Sequence, residues 1–241
     1  MALPKIDVPT YLIDLPLSKK QIKFRPFLVK EQRNLLMAME SSDASTIQQT
    51  VKDILHNCTL TEGVDIEKLP IIDVEYYFIN LRAKSVGEIV ESRYKCNNEV
   101  DDVECGNIME SQLNLLNIKV QSPDNISPEI QLDAKLSIKL KYPEFSIVTD
   151  SLKYDNINEV TFNMIAQSIE YIYDGEQFYY ANESTPKELL SFVEDMNQEQ
   201  FAKVEEFFNN LPKLKETLDI TCNKCGFKHH IDVEGLESFF V

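Results

Sequence analysis

Four of the five cysteines form two pairs, and the second member of each pair is followed by glycine. The later pair lies in Cys222-Asn223-Lys224-Cys225-Gly226, where two residues separate the thiols. This spacing lets both sulfurs reach one metal ion, and the glycine permits the tight turn between them. Strand-like runs on both sides are typical of the hairpin that carries a zinc knuckle. A redox dithiol is the other common use of this spacing, but no thioredoxin-like strand and helix follow it.

The earlier pair has the same ending and a longer interval. Eight residues lie between Cys96 and Cys105, and Gly106 follows. In both pairs a strand enters the first cysteine and an extended segment leaves the glycine, so the two segments can face each other. The sequence therefore predicts one structural zinc, because four thiolates leave no open position for a catalytic water. The predicted ligands are Cys96, Cys105, Cys222 and Cys225.

Several other readings of these residues stay open. All four cysteines can be ordinary buried thiols, and either His229 or His230 can replace a cysteine ligand. Cys58 lies on a predicted helix, where we expect a packed thiol. The acidic group between the first two cysteines lacks the spacing of a calcium loop and is interpreted as a charged hairpin tip. Its members are Glu99, Asp101, Asp102 and Glu104.

Composition limits the possible functions. The chain has 241 residues and a formal net charge of −16, which disfavours binding to nucleic acid or anionic lipid. Only 6 residues are glycine, and no glycine-rich phosphate loop, metalloprotease helix motif or serine nucleophile elbow is present. No apolar run approaches the roughly 18 residues of a membrane helix. The first residues lack the pattern of a secretory signal, which predicts a cytoplasmic location.

Hydrophobic periodicity predicts a mixed order of strands and helices. A hairpin is expected first, followed by three helices, of which the third has Asp73 as its N-cap. The second half of the chain is predicted to alternate between strands, a polar loop and further helices. The predicted hairpin strands are within 10–16 and 21–27, the helices within 30–39, 45–58, 160–173, 185–193 and 201–211, the other strands within 89–96, 112–120 and 132–142, and the loop at 122–128.

These elements predict an α+β fold with a split zinc-ribbon-like β-element. Its two halves, 87–120 and 215–241, are expected to flank a largely helical insertion of mixed strands and helices at 121–214. An N-terminal hairpin with helices, 1–86, precedes them. Aromatic clusters at 76–78, 178–180 and 207–208 are expected to be mostly core, with a surplus that leaves room for a partner surface.

Two stretches resemble the baseplate hub and hub-assembly proteins of T-even-type contractile-tailed bacteriophages. One runs from Leu15-Pro16 through Lys23-Phe24-Arg25-Pro26-Phe27 to Leu35-Leu36-Met37-Ala38. The other runs from Phe207-Phe208 and Leu211-Pro212 through the Cys222–Gly226 knuckle to Leu236-Glu237-Ser238-Phe239-Phe240. The chain departs from the expected pattern at Cys96 and Cys105, where closer spacing is expected.

The resemblance implies a structural or assembly protein of the baseplate hub that works without turnover. Its implied partners are other hub or tail proteins, with oligomerisation possible inside a tail assembly, and its implied location is the host cytoplasm during assembly and the tail baseplate of the virion. A zinc-ribbon protein that binds nucleic acid or regulates is the alternative, although only Lys224 and Lys228 are basic near the second cysteine pair. A metal-dependent hydrolase is a third hypothesis, and it requires an open zinc coordination position.

Overall fold

The computed structural model describes residues 6–123, 127–147 and 156–235. Three parts of the sequence considered above lie outside the described residues. They are the first residues, 1–5, part of the predicted loop at 122–128, and the segment 236–240 that closes the second stretch of the resemblance. The helices are α1 Val29–Ser41, α2 Ala44–Cys58, α3 Ile71–Ser85, α4 Ile157–Gln167, α5 Pro186–Glu194 and α6 Gln198–Asn209. The strands are β1 Tyr11–Asp14, β2 Gln21–Phe24, β3 Ile89–Lys95, β4 Glu99–Val100, β5 Val103–Glu104, β6 Ile108–Asn114, β7 Lys119–Gln121, β8 Glu129–Gln131, β9 Ser137–Leu140, β10 Ile169–Tyr173, β11 Phe178–Tyr180, β12 Lys213–Thr221 and β13 Lys228–Glu234.

Helices and several small antiparallel sheets confirm the predicted α+β class. The first unit is the predicted hairpin, β1 paired with β2, packed on α1, α2 and α3. Its core holds fully buried aromatic and aliphatic side chains, among them Phe24, Tyr77 and Phe78. Two members of the first aromatic cluster are therefore core residues, as expected. Among the helices of the described residues, none has the length and apolar character of a membrane span.

The predicted N-cap of the third helix is wrong. Helix α3 begins at Ile71, because Pro70 supplies a fixed backbone angle at the cap position. Asp73 lies inside the first turn and is fully buried. Its carboxylate accepts hydrogen bonds from the backbone N–H groups of Leu17 at 2.7 Å and Ser18 at 2.8 Å. The acidic side chain therefore ties the β1–β2 turn to α3 rather than capping its own helix.

The middle of the chain combines a four-stranded sheet, in the order β11-β10-β9-β8, with α4, α5 and α6. The predicted helix at 160–173 is wrong in its second half, since α4 ends at Gln167 and β10 follows. The hydroxyl of buried Ser168 donates to the carbonyl of Met164 at 2.8 Å and closes the helix. The next residues are rich in branched and aromatic side chains, and they pair with β9. Unlike the core clusters, β11 exposes all three of its aromatic side chains, Phe178, Tyr179 and Tyr180.

Besides the short pair of β4 and β5, the remaining strands form two sheets that lie beside α3. Strand β3 pairs with β6, and the second sheet has the order β13-β12-β7. The single strand predicted at 112–120 is interrupted, because Asn114 accepts the backbone N–H of Leu116 at 3.0 Å and starts a 3-10 turn. That turn bends the chain from β6 into β7, which pairs with the start of β12. The division into domains at 1–86, at 87–120 with 215–241, and at 121–214 stays a prediction.

A half-buried carboxylate on α3 makes stability depend on pH. Burial raises the pKa of Glu75 to about 7, and the neighbouring Glu234 carboxylate adds to the increase. An unfolded glutamate has a pKa of about 4.3, so the folded state holds a proton that the unfolded state releases. This contribution to the free energy of unfolding is complete below about pH 4 and is lost as the pH rises through 7.

Glu75→Gln is therefore expected to raise the free energy of unfolding by about 2 kcal/mol at pH 8 and to change it little at pH 5. Urea unfolding at both pH values measures this difference. The exposed Glu62 provides a matched control, since Glu62→Gln has no buried charge to remove. Equal effects of Glu75→Gln at pH 5 and pH 8 would contradict the assignment.

Candidate metal centre

The four cysteines of the two pairs meet at one point. Their sulfur atoms all lie within 4.8 Å of one another. The Sγ atoms of Cys96 and Cys225 are 3.6 Å apart, and those of Cys105 and Cys222 are 3.8 Å apart. Three of the side chains are buried, and Cys225 is half-buried. These separations are far longer than the ~2.05 Å of a disulfide, so the quartet consists of free thiols or thiolates.

Both cysteine pairs use the same backbone turn. In the later pair, the N–H of Gly226 donates to the carbonyl of Cys222 at 2.8 Å, and the N–H of Cys222 donates to the carbonyl of Phe227 at 2.8 Å. In the earlier pair, the N–H of Gly106 donates to the carbonyl of Cys96 at 3.0 Å, and the N–H of Cys96 donates to the carbonyl of Asn107 at 2.8 Å. Both glycines have positive φ angles, 63° and 75°, which a residue with a Cβ rarely adopts.

The long interval of the first pair is a small hairpin inserted into an otherwise ordinary knuckle. Strands β4 and β5 pair with each other, and Asp101 and Asp102 form the turn with φ angles of 51° and 62°. The N–H of Cys105 donates to the carbonyl of Asn98 at 2.8 Å, so the hairpin begins and ends at one place. Without residues 99–104 the segment reads Cys-Asn-Asn-Cys-Gly, beside Cys-Asn-Lys-Cys-Gly in the second pair. The expected charged hairpin tip is confirmed, and it explains the departure from closer spacing.

Polar donors from each half reach the other half of the quartet. The side-chain amide of Asn98 lies 3.7 Å from the Sγ of Cys225, and that of Asn107 lies 3.5 Å from the Sγ of Cys222. The ammonium of Lys224 donates to the carbonyl of Cys105 at 2.8 Å. Such donors stabilise negative charge on the sulfurs, and they compensate part of the charge of a thiolate cluster.

The local fields on the thiols differ. Backbone N–H groups of the second knuckle, Cys225 foremost, lower the pKa of Cys222 to about 6. Burial raises the pKa of Cys96 to about 12. The second knuckle therefore offers a thiolate at neutral pH, whereas Cys96 needs a positive charge beside it before it loses its proton.

The donor set fits a tetrahedral zinc ion. With Zn–S bonds of about 2.3 Å, the sulfurs of a tetrahedral site lie about 3.8 Å apart. The two sulfur pairs at 3.6 and 3.8 Å match this separation, with one sulfur of each pair supplied by each knuckle. Among the described residues, Tyr94, Met109 and Ile220 are the apolar side chains that join the cysteines in this small cluster. So few apolar neighbours give the ends of the two hairpins little packing of their own.

The other candidate residues have separate positions. The Nε2 of His229 lies 3.2 Å from the Sγ of Cys96, outside the sulfur quartet, while His230 is exposed and contacts Asp219. Cys58 is fully buried at the end of α2, and burial raises its pKa to about 11. This confirms the packed thiol that the sequence predicts.

Sequence reasoning missed the asparagines that contact the sulfurs. Asn98 precedes the inserted hairpin and Asn107 follows it. The insertion therefore hides from the sequence that both residues lie beside the same cysteine pair. The sequence does contain a signal for the insertion that separates them, the shared Cys-Asn start of both knuckles at Cys96-Asn97 and Cys222-Asn223. Aligning the two knuckles from that start, and from the Cys-Gly end, isolates 99–104 as an insertion.

Comparison with known proteins identifies one family. No curated protein and no solved structure matches the chain. The model of one family, described as T4 bacteriophage base plate protein, matches residues 8–241. The match spans both knuckles, the N-terminal hairpin and the residues between them. The chain therefore belongs to the family of T4 bacteriophage base plate proteins.

Proposed function

We propose that this chain is a non-enzymatic structural or assembly protein of the central baseplate hub in a contractile phage tail. The family match over residues 8–241 carries the proposal, because it covers almost the whole chain. The narrower assignment to the hub comes from the resemblance at the two ends of the sequence. The chain works through contacts with other hub or tail proteins, in the host cytoplasm during assembly and in the tail baseplate.

The same proposal assigns a structural zinc to Cys96, Cys105, Cys222 and Cys225. A bound zinc would supply four strong bonds between the β3–β6 and β12–β13 hairpins, which are distant in the sequence. Four sulfur ligands fill a tetrahedral site, so this arrangement supports a stabilising role rather than hydrolysis. His229 then acts as a donor beside Cys96 and is not a ligand.

Quantitative mass spectrometry of purified virions and of infected-cell lysate tests the role. A fixed ratio to known tail proteins in the particle identifies a hub subunit. Presence in tail intermediates from the lysate, with absence from particles, identifies an assembly factor. Absence from both fractions would overturn the proposal.

The inserted hairpin offers a test of the knuckle interpretation. Deleting 99–104 joins Asn98 to Cys105, whose backbone atoms already lie within 2.8 Å of each other. We expect the shortened chain to keep one zinc and to change in free energy of unfolding by less than about 1 kcal/mol, since the hairpin residues are exposed. Native mass spectrometry and urea unfolding give both values. Loss of the metal in a folded variant would show that the hairpin belongs to the site.

A further inference from the structure

A cleft lies between the two hairpins that the sulfur quartet joins. Its volume is about 890 Å³, and its walls are the middle of β3 and β6 and the last residues of β12. At one end, the 3-10 turn leads β6 into β7, which pairs with Lys213–Lys215 of β12. At the other end, the sulfur contacts hold the two hairpins together. Between the cysteines and this turn, β6 therefore lies beside β12 without pairing with it.

The wall formed by β12 is an open sheet edge. The N–H of Cys222 donates to the carbonyl of Phe227, which fixes the hydrogen-bonding register of β12 and β13. In an antiparallel pair, every second residue bonds to the partner strand, and the residues between point their backbone groups away from it. Those outward residues are Thr217, Asp219 and Thr221. Strand β7 occupies the same edge only as far as Lys215. Within the described residues, nothing pairs with the outward backbone groups beyond that point.

The wall formed by β6 also presents backbone groups. The bonds from Cys96 N–H to Asn107 and from Leu115 N–H to Glu88 fix the register of the β3–β6 pair. By the same alternation, Glu110 of β6 points its backbone N–H and carbonyl away from β3. Strand β6 is also the strand of this pair that lies nearer β12. Two strand edges therefore border one cleft.

The floor of the cleft contains a pair of serines, one buried and one half-buried. Ser92 is 8% exposed, lines the cleft and pairs across the strands with Ser111. In the part of the chain that the structure describes, no hydrogen bond reaches the Ser92 hydroxyl. The flanking pairs are large and apolar, Val90 with Leu113 on one side and Tyr94 with Met109 on the other.

We propose that this cleft receives an extended basic segment of a partner protein, which adds to the open edge of β12 as a new strand. The proposal rests on the proposed function, which supplies tail proteins as partners. Among the described residues that line the cleft, Glu91, Glu110 and Asp219 outnumber the one cation, Arg93, whose Nε lies 3.5 Å from Glu110. Asp219 also contacts His230, which lies outside the cleft lining. The edge from Thr217 to Thr221 accommodates about five residues, roughly 17 Å of strand. Backbone hydrogen bonds supply affinity, and the acidic walls select lysine or arginine.

An array of overlapping peptides from the tail proteins of the same phage tests the proposal with the zinc-loaded full chain. Asp219→Pro removes the outward N–H at the centre of the edge and leaves the β12–β13 bonds in place. We expect this variant to bind the captured basic peptides at least tenfold more weakly than the unmodified chain. Asp219→Ala tests the charge alone, and His230→Pro removes an outward N–H from the opposite edge of the same hairpin. We expect Asp219→Ala, which keeps the outward N–H, to weaken binding less than Asp219→Pro does, and His230→Pro to keep most of the binding.

Amide exchange of the unmodified chain gives a second readout that needs no variant. Binding of the strongest array peptide is expected to slow exchange at Thr217, Asp219 and Thr221 at least tenfold. Equal peptide binding by Asp219→Pro and His230→Pro, unchanged exchange at these amides, or capture confined to peptides of this chain would overturn the proposal. If the chain is present in tails and these tests fail, only the cleft proposal is wrong. Absence from virions and tail intermediates would instead remove the proposed function.

Discussion

Replacing Cys222 with serine is expected to abolish zinc binding and to lower the free energy of unfolding by on the order of 5 kcal/mol. Cys222 is 1% exposed, and its pKa is the one that the knuckle backbone lowers to about 6. A serine hydroxyl does not ionise at neutral pH, so the site loses its best anionic ligand. Structural zinc contributes about 10–16 kcal/mol in finger peptides, and the remaining cores of this larger chain keep the observed loss smaller.

Native mass spectrometry of freshly prepared, reduced protein and urea unfolding measure both effects. Cys58→Ala is the matched control, because Cys58 is equally buried but lies in the N-terminal core. It is expected to keep one zinc per chain and to lose only about 1–2 kcal/mol of packing. A Cys222→Ser variant that binds as much zinc as the Cys58 variant would contradict the assigned ligand set.

Asp73→Ala is expected to lower the free energy of unfolding by about 3–4 kcal/mol. The carboxylate is fully buried and accepts the N–H groups of Leu17 and Ser18, so its removal leaves two half-buried donors without this partner. Asp73→Asn keeps one side-chain oxygen and is expected to cost about half as much. Urea unfolding of the two variants measures the difference. A loss below about 0.5 kcal/mol for Asp73→Ala would show that the turn holds its conformation without this contact.

The second knuckle could be predicted because its information is local. Two residues between the cysteines, a glycine after them and strand-like flanks determine the turn without reference to the rest of the fold. The first knuckle was harder to interpret, since a hairpin separates its cysteines. The acidic residues Asp101 and Asp102 indicate a hairpin tip, and both have the positive φ angles of its turn. The sequence does not show that the first knuckle closes at the base of this hairpin, which the backbone bond from Cys105 to Asn98 establishes.

The errors in secondary structure arise where tertiary contacts decide. Asp73 has the residue type of an N-cap, yet its partners lie 55 and 56 residues earlier in the chain. The segment around Ile169 suits a helix by the spacing of its apolar residues, but pairing with β9 stabilises a strand. The cleft was not predictable for the same reason, because β6 and β12 come together only in the folded chain.

Deletion of the gene, followed by electron microscopy of infected-cell lysates, tests the assigned role in the baseplate most directly. Both a hub subunit and a hub-assembly factor are required before tails form. We therefore expect the deletion to eliminate complete contractile tails, and supply of the intact gene in trans to restore them. Normal contractile tails in the absence of the protein would contradict the account.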